Sequence, residues 1–470
     1  MRLLISLLIL TSVLKVSFGQ PIETNHPDTL KSPTNNFSVK FSNFGGKHPM
    51  QISNGDTVDA GTDGRAGLTA TIYYGNDSLI IENTNFPYFQ VHYIAIKSPN
   101  GLGIYRLHFN NVSASFSQDY MNKHSGKAEI LVPEVYELAN MLLILSPSGQ
   151  KAKNMDKQSD YYKKVMSHFT PFLKHPVFKS LDFPDSLFFK NYYDFRENSF
   201  CFIFEKDKIV RPGPYYFVMG GEETAYSGLF KRLIPEIEDF AKVSEFRSFY
   251  KSNSDFYQQL IEREGQLLPL KNMCTWIEKQ FPKIRFNSYK VVFSPIIRST
   301  HSTQRFASLD TSRRWFNETI MFVSGPSDYD RNGKLTEKQR EGLLSGIVFT
   351  EIDHNYVNPT SDDYAFTIDS VFSNRALWTL SLGDKSFYSS AISVFNEYMT
   401  HALFSLYVLD NFETAEANFL IEQRESLMVE GRGFSKFKEF NQMLVTLRNS
   451  NKLLPVASLY PLILNWCKKQ

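Results

Sequence analysis

The spacing of apolar residues along the chain changes character at about residue 132. Before this point, short runs rich in aromatic and β-branched residues alternate with turn-forming clusters such as Gly75-Asn76-Asp77, a pattern that is typical of β-strands. The pattern predicts strands over 68–74, 78–82, 89–97 and 103–109. A small antiparallel sheet is the simplest arrangement for them, within a β-rich N-terminal domain over residues 38–132.

Beyond residue 132 the apolar residues recur at helical spacing. This spacing predicts helices over 135–142, 161–169, 226–250 and 255–281, in a helical subdomain that covers residues 133–281. Two strands, 290–297 and 319–324, then precede helices over 336–356, 386–409, 414–429 and 460–468, in a last subdomain over 282–470. The predicted fold class is therefore α+β, with a small β-rich N-terminal region and a mainly helical remainder.

The first residues have the pattern of a secretory signal peptide. A charged start at Arg2 is followed by an apolar run over 3–14 and by small residues at the exit, which predicts a signal peptide over residues 1–19. A polar, proline-bearing stretch over 20–37 is predicted to be a flexible lead. No later stretch approaches about 20 uninterrupted apolar residues, so we expect no transmembrane segment. The expected location is outside the cytoplasm, in a periplasm or in the medium.

Charge and cysteine content narrow the classes of partner. The whole chain has 51 basic and 49 acidic side chains, and two of the basic ones, Arg2 and Lys15, lie in the predicted signal peptide. The remainder is formally neutral, and it has no cluster of Lys and Arg of the kind that nucleic acids require. Three cysteines remain in an exported chain, so either one disulfide forms or all three are buried thiols.

Two titratable residues interrupt the apolar side of the predicted helix over 336–356. Leu344 and Ile347 belong to its apolar arc, and Glu351 and His354 fall within the same arc at about 100° per residue. Because a buried ionisable group is costly unless it is paired or coordinated, these two residues need a partner. Asp353 projects from the other side and is expected to be solvated.

The predicted helix over 386–409 offers that partner. Glu397 and His401 lie one turn apart along the border of its buried stripe. If the two helices pack together, two carboxylates and two imidazoles converge on one point, and this donor set suits a zinc ion with a bound water.

These two helices resemble those of the gluzincin metallopeptidases, and more narrowly an uncharacterised group of exported bacterial proteins with a zincin-like C-terminal half. The resemblance covers residues 133–409 and rests on the active-site helix with its Val357-Asn358-Pro359 exit, on Asn396-Glu397-Tyr398, and on the segments 135–145, 161–175 and 191–196. Gluzincins carry His-Glu-x-x-His on the active-site helix and a third ligand, Glu, on a later helix. The resemblance implies that His354 is the second ligand His, Glu351 the general base and Glu397 the third ligand.

The motif departs from that pattern at Thr350, which stands where the first ligand His is expected. Three interpretations follow. His401 could replace the missing ligand, which gives a zinc site of His354, Glu397 and His401 with Glu351 as base. The fold could persist without metal, with Glu351 paired to a histidine. Glu351 could itself be a ligand, as in the Glu-x-x-His sites of helical bundles.

Two functions therefore compete. The first is an exported zinc metallopeptidase that hydrolyses peptides with a metal-bound water activated by Glu351. The alternative is a catalytically inactive zincin-like relative whose cleft binds a peptide, a glycan or a partner protein. The sequence does not decide the oligomeric state or the substrate.

A second candidate metal site precedes the active-site helix. Asp328, Asp330 and Asn332 alternate as in the first two thirds of a calcium loop, but the closing acidic position is Gln339. The other interpretation is a polar turn that caps the helix through Thr336. His301, in the loop after the strand over 290–297, is expected to be exposed.

Overall fold

A computed structural model describes residues 30–31, 37–41, 50–52, 57–62, 68–74, 77–83, 90–99, 101–111, 114–213, 215, 228–309, 315–380, 388 and 390–470. The predicted signal peptide over 1–19 and most of the predicted lead over 20–37 lie outside these residues. The fold is α+β, as predicted. No helix in the described ranges has both the length and the apolar character needed to cross a bilayer.

The strands before residue 114 form two four-stranded sheets. Their bounds are β1 (Leu30–Lys31), β2 (Phe37–Phe41), β3 (Met50–Ile52), β4 (Thr57–Thr62), β5 (Leu68–Tyr74), β6 (Asp77–Asn83), β7 (Gln90–Ser98) and β8 (Gly101–Asn111). The orders are β3-β2-β5-β6 and β1-β7-β8-β4. The first sheet is antiparallel, whereas the second includes the parallel pairs β1 with β7 and β4 with β8. The four predicted strands are present, but one small antiparallel sheet was too simple an arrangement for them.

A third four-stranded sheet lies at the centre of the rest of the chain. After β9 (Lys127–Leu131) and the hairpin β10 (Ile203–Glu205) and β11 (Lys208–Val210), the remaining strands are β12 (Ser288–Ser294), β13 (Ser302–Leu309) and β14 (Trp315–Ser324). The order is β13-β14-β12-β9, with β13 antiparallel to β14 and the other pairs parallel. Every residue of β12 is buried, as expected for a parallel strand covered on both faces.

The helices cover this sheet and form most of the core. They are α1 (Gln118–His124), α2 (Glu134–Leu145), α3 (Pro147–Lys151), α4 (Asp160–Phe169), α5 (Val177–Ser180), α6 (Phe188–Ser199), α7 (Leu229–Val243), α8 (Phe246–Ser252), α9 (Ser254–Leu267), α10 (Leu270–Gln280), α11 (Ser327–Asp330), α12 (Glu337–Asp362), α13 (Ala365–Val371), α14 (Ala391–Asn411), α15 (Thr414–Ser426), α16 (Phe437–Ser450) and α17 (Tyr460–Cys467).

Two of the predicted long helices are each divided in two. The helix predicted over 226–250 breaks at Glu245, whose φ of 51° lies in the left-handed region. The helix predicted over 255–281 breaks before Pro269, which lacks a backbone N–H and restricts the residue before it. Strands β9 and β13 and helix α16 were not predicted.

Helix α12 is positioned by its first residue and by the sheet. Thr336 and Gln339 form a capping box at its start, so the predicted capping role of Thr336 is confirmed. In its third turn from the end, Asn355 Nδ2 donates to Thr303 Oγ1 and to Thr319 Oγ1, both at 3.0 Å. These two bonds tie the helix to β13 and β14 and therefore fix its rotation about its own axis.

All three cysteines lie in the described part of the chain. Cys201, Cys274 and Cys467 are buried, and no disulfide joins them. Of the two alternatives that the sequence left open, buried thiols are the one observed.

Candidate functional site

Helices α12 and α14 pack side by side and bring the predicted site residues around one carboxylate. His354 Nε2 is 3.5 Å from Glu397 Oε1, and His401 Nε2 is 3.5 Å from Glu397 Oε2. Glu351 and His354 lie one turn apart on α12, and Glu397 and His401 lie one turn apart on α14. This helical spacing directs both members of each pair towards the same gap between the helices. The Glu397 side chain, only 7% exposed, thus has one imidazole on each side.

Glu351 lies close enough to the Glu397 carboxylate for the two groups to interact electrostatically. Burial raises the pKa of Glu351 to about 8, the negative charge of Glu397 adds to the effect, and Arg432 offsets only part of it. Glu351 is therefore mainly a neutral carboxylic acid at pH 7. A protonated carboxyl group can donate a hydrogen bond but cannot act as a general base.

Arg432 is the central residue of the site that sequence reasoning missed. Its NH1 donates to Glu397 Oε2 at 3.0 Å and lies 2.9 Å from His401 Nε2. Helix α15 continues into a π-helical segment, Leu427–Gly431, and the wider turn carries the chain to Arg432 just beyond it. Single π-helical turns are often found at functional sites. The only sequence signal was an arginine between two glycines, Gly431 and Gly433, at the end of a predicted helix.

Arg424, on α15, holds the other side of the His401 ring. Its NH1 lies 2.8 Å from His401 Nδ1, and its guanidinium stacks over Phe404 with 4.6 Å to the ring centroid. The space for this guanidinium exists because residue 346 of α12 is glycine: a Cβ there would collide with Arg424 NH2 and lie 2.7 Å from Phe404 Cζ. Arg424 is thus built into the core, with 8% of its surface exposed.

These contacts assign the tautomer of His401. Burial and the charges of Arg432 and Arg424 lower its pKa to about 3, so the ring is neutral and has a single acceptor nitrogen. A guanidinium only donates, so it needs that acceptor. Arg424 is buried against Phe404, whereas Arg432 has Glu397 as an alternative acceptor. We therefore assign Nδ1 as the acceptor and Nε2 as the protonated nitrogen that faces Glu397.

Glu397 keeps its negative charge in this setting. Burial alone would raise its pKa, but the hydrogen bond from His401 and the charges of His354 and Arg432 together lower it to about 2. The carboxylate is thus the fixed anion of the site, and the Arg432 guanidinium is its counterion.

The residues as arranged do not fit a zinc ion. The separations of 3.5 Å around Glu397 are near the roughly 3.3 Å between two ligands of a tetrahedral zinc ion. However, the His401 nitrogen that would bind the metal carries a proton, and Arg432 NH1 contacts two of the would-be ligand atoms. Thr350 donates its hydroxyl to Ile347 O, at 2.9 Å within its own helix. Across the described residues, no group of three or more His, Cys, Asp or Glu side chains is arranged to hold a metal. The zinc site of His354, Glu397 and His401 stays a prediction.

The expectation that Asp353 is solvated was wrong. Its side chain is fully buried, and neither carboxylate oxygen has a hydrogen-bond partner among the described residues. Burial, and then the charge of Glu351, raise its pKa well above the usual range. The helical wheel placed Asp353 opposite the apolar arc, but α14 and α15 pack against α12 together with the sheet. The partly exposed residues of this part of the helix are instead Ile347, Glu351 and His354, on the side that was predicted to be buried.

The candidate calcium residues have other partners. Asp328 accepts from Arg298 Nε at 2.9 Å, and Asp330 accepts from Arg263 NH2 at 2.6 Å. Asn332 Oδ1 accepts the Lys334 N–H within its own turn. Arg263 and Arg298 pair with the two carboxylates from outside the loop, and Arg331 of the loop itself also pairs with Asp328, which is the arrangement of a cross-linked turn. A calcium ion would have to displace these three arginines, and its binding here stays a prediction.

A buried ion pair between Arg196 and Glu197 adjoins the site. Arg196 is fully buried, and its NH2 donates to Glu197 Oε1 and to Ser302 Oγ, both at 3.0 Å. His301, expected to be exposed, is partly buried, with Nε2 3.2 Å from Ser324 Oγ. Burial and the charges of Arg196 and Arg432 lower the pKa of His301 to about 3. His301 is thus a neutral ring that lies within range of the charges of both arginines.

Comparison with known proteins finds no relative. No protein-family model matches the chain, and no match is found among curated proteins or among solved structures.

Proposed function

We propose that this chain is an exported, zincin-like protein, that a cleft opens beside Arg432 where α12, α14 and the end of α15 meet, and that this cleft binds a ligand without hydrolysing it. The observation that carries the proposal is the position of Arg432, whose NH1 lies within hydrogen-bond distance of both Glu397 Oε2 and His401 Nε2. In a gluzincin, the corresponding glutamate binds the metal. Here a guanidinium supplies the positive charge that balances the glutamate.

Two further features favour binding over hydrolysis. A water beside a guanidinium is not acidified as a zinc-bound water is, so the site has no strong nucleophile at neutral pH. The acid that resembles the general base, Glu351, is mainly protonated at pH 7 because burial and Glu397 raise its pKa to about 8. Arg432 and Glu351 together present hydrogen-bond donors, which hold a ligand but do not remove a proton from water.

Metal analysis tests the proposal. The mature chain, residues 20–470, is equilibrated with zinc and dialysed, and its metal content is compared with that of three variants. We expect no stoichiometric zinc in the wild type or in Thr350→His, because Arg432 remains. We expect stoichiometric zinc in Thr350→His with Arg432→Met, which restores the ligand and removes the guanidinium. Stoichiometric zinc in the wild type that is lost in His354→Ala would overturn the proposal.

The zinc peptidase is the second candidate, and one observation favours it. His354 Nε2 and His401 Nε2 both lie at metal-ligand spacing from Glu397, and Arg432 is 38% exposed and so has room to swing out. Hydrolysis of a mixed peptide library by the zinc-equilibrated wild type, abolished in a folded Glu351→Gln variant, would establish this candidate and exclude the binding role.

A further inference from the structure

We propose that the ligand of this cleft presents a carboxylate group, which binds to the outer edge of the Arg432 guanidinium. This inference rests on the proposed binding function and names the chemical class of its ligand. A carboxylate matches the planar guanidinium because its two oxygens accept two parallel hydrogen bonds from one edge.

The first support is the way in which Arg432 is shared between protein and solvent. Its hydrogen bond to Glu397 and its contact with His401 both involve the same amino group, NH1. The side chain is 38% exposed, whereas Glu397 beneath it is 7% exposed. NH1 is therefore anchored to a buried carboxylate, the Tyr388 side chain forms a further hydrogen bond with Arg432, and 38% of the arginine side chain still reaches the surface. Anchoring on one edge preorganises the other edge and lowers the entropy lost on binding.

The second support is the balance of ion-pairing groups at His401. Arg424 and Arg432 both contact its ring, whereas Glu397 is the one carboxylate among the described residues that forms an ion pair with either of them. A ligand carboxylate would add a second negative charge beside Arg432.

The third support is the backbone that carries Arg432. The π-helical segment Leu427–Gly431 precedes it, and Gly433 follows it with φ of +77°, which a residue with a side chain rarely adopts. The Arg432 N–H bonds Leu427 O at 2.9 Å, and Gly433 O accepts the Leu380 N–H at 2.8 Å. Bonds on both sides therefore hold the backbone of Arg432 in place.

The surroundings of Arg432 indicate what carries the carboxylate. Leu380, beside Gly433, is 75% exposed, and Leu427, beside Gly431, is 42% exposed. Exposed leucines next to a charge site favour an apolar group attached to the charged one. A peptide that ends in an apolar residue has this combination at its C-terminus, and a carboxylate side chain beside an apolar residue is the other source.

Calorimetry with three short peptides tests the inference and distinguishes the sources. The probes are acetyl-Ala-Ala-Leu with a free carboxylate, the same peptide with a C-terminal amide, and acetyl-Ala-Asp-Leu amide. We expect the free acid to bind at least tenfold more tightly than the first amide. If the Asp-bearing amide matches the free acid, the carboxylate comes from a side chain. If all three peptides bind equally, or none binds, or inorganic phosphate competes better than acetate, the inference is overturned.

Variants locate the binding on Arg432. Arg432→Gln should lower the affinity for the free-acid peptide at least tenfold. Arg432→Lys keeps the charge but loses the planar edge, so its affinity should fall between those of the wild type and Arg432→Gln. Arg285→Gln is the matched control, since Arg285 is a surface arginine that pairs with Glu278 away from the cleft. The comparison of acid and amide on the wild type stands even if a variant fails to fold. Zinc in the wild type would instead refute the binding function itself, so the two failures are distinguishable.

Discussion

Replacing Gly346 by alanine tests the packing that seats Arg424 behind His401. A Cβ at position 346 would overlap Arg424 NH2 and would lie 2.7 Å and 2.9 Å from two carbons of the Phe404 ring. Both neighbours are buried, so neither has free space to move into. The variant must therefore either strain the contact between α12 and α15 or expel the guanidinium from His401.

The magnitude follows from three contributions. Alanine gains about 1 kcal/mol over glycine inside a helix. Overpacking of a buried contact costs about 1–3 kcal/mol. Loss of a hydrogen bond from a charged donor to His401 costs about 1.5–3 kcal/mol where the side chain is expelled. After the helix gain is subtracted, either outcome leaves a loss of up to about 2 kcal/mol, and we expect a net loss of about 1–2 kcal/mol for Gly346→Ala.

Urea unfolding followed by tryptophan fluorescence measures this change, since all four tryptophans lie after residue 275. Gly265→Ala is the matched control. It is also a glycine within a helix, α9, but its added Cβ would meet only Ile130 Cδ1, at an ordinary 3.6 Å. We expect this control to gain up to about 1 kcal/mol. If Gly346→Ala is as stable as the wild type or gains as much as the control, the inferred packing of Arg424 is wrong.

Three further predictions concern buried groups. Because the pKa of Glu351 is raised to about 8 from an ordinary 4.5, its contribution to stability is full below about pH 4.5 and is lost as the pH rises through 8. Glu351→Gln should therefore gain in urea midpoint relative to the wild type between pH 5 and 8.5, and a constant difference would contradict this. Lys290 donates to the fully buried Glu318 at 2.5 Å, so Lys290→Met should lower the free energy of unfolding by about 3–5 kcal/mol. The double variant Lys290→Met with Glu318→Leu should lose less, because no unpaired charge stays buried. An equal or larger loss in the double variant would contradict this prediction. The three buried cysteines should be inert to a thiol reagent in the native protein, and three thiols per chain should react after denaturation without reductant, whereas a single reactive thiol would reveal a disulfide.

Local sequence determined much of the secondary structure. The spacing of apolar residues located α12 and α14, and Thr336 marked the start of α12 because a threonine before a helical run satisfies unpaired N–H groups. The same spacing placed Glu351, His354, Glu397 and His401 at the sides of two helices that pack together. These features depend on residues within a turn or two of each other, which is the range over which a sequence pattern acts.

Only the tertiary structure decided what surrounds those residues. Arg424 and Arg432 come from beyond the end of α14 and meet His401 and Glu397 only when α15 folds back. Their approach sets the charge of the site and the tautomer of His401. A helical wheel shows which side of a helix is apolar, but it does not show how many neighbours will cover the helix. Asp353 is buried for this reason, although its position on the wheel predicted solvent.

The polar strand β13 illustrates the same limit. Its sequence, Ser302–Leu309, lacks a clear apolar alternation, and its pairing with β14 was missed. Whether such a segment forms a strand depends on a neighbour that supplies backbone partners, and this neighbour comes from a later stretch of the chain. The sequence thus determined many of the elements, among them the two helices that carry the site. The contacts between distant elements decided which charged groups meet, because long-range electrostatics and burial arise only when those elements pack.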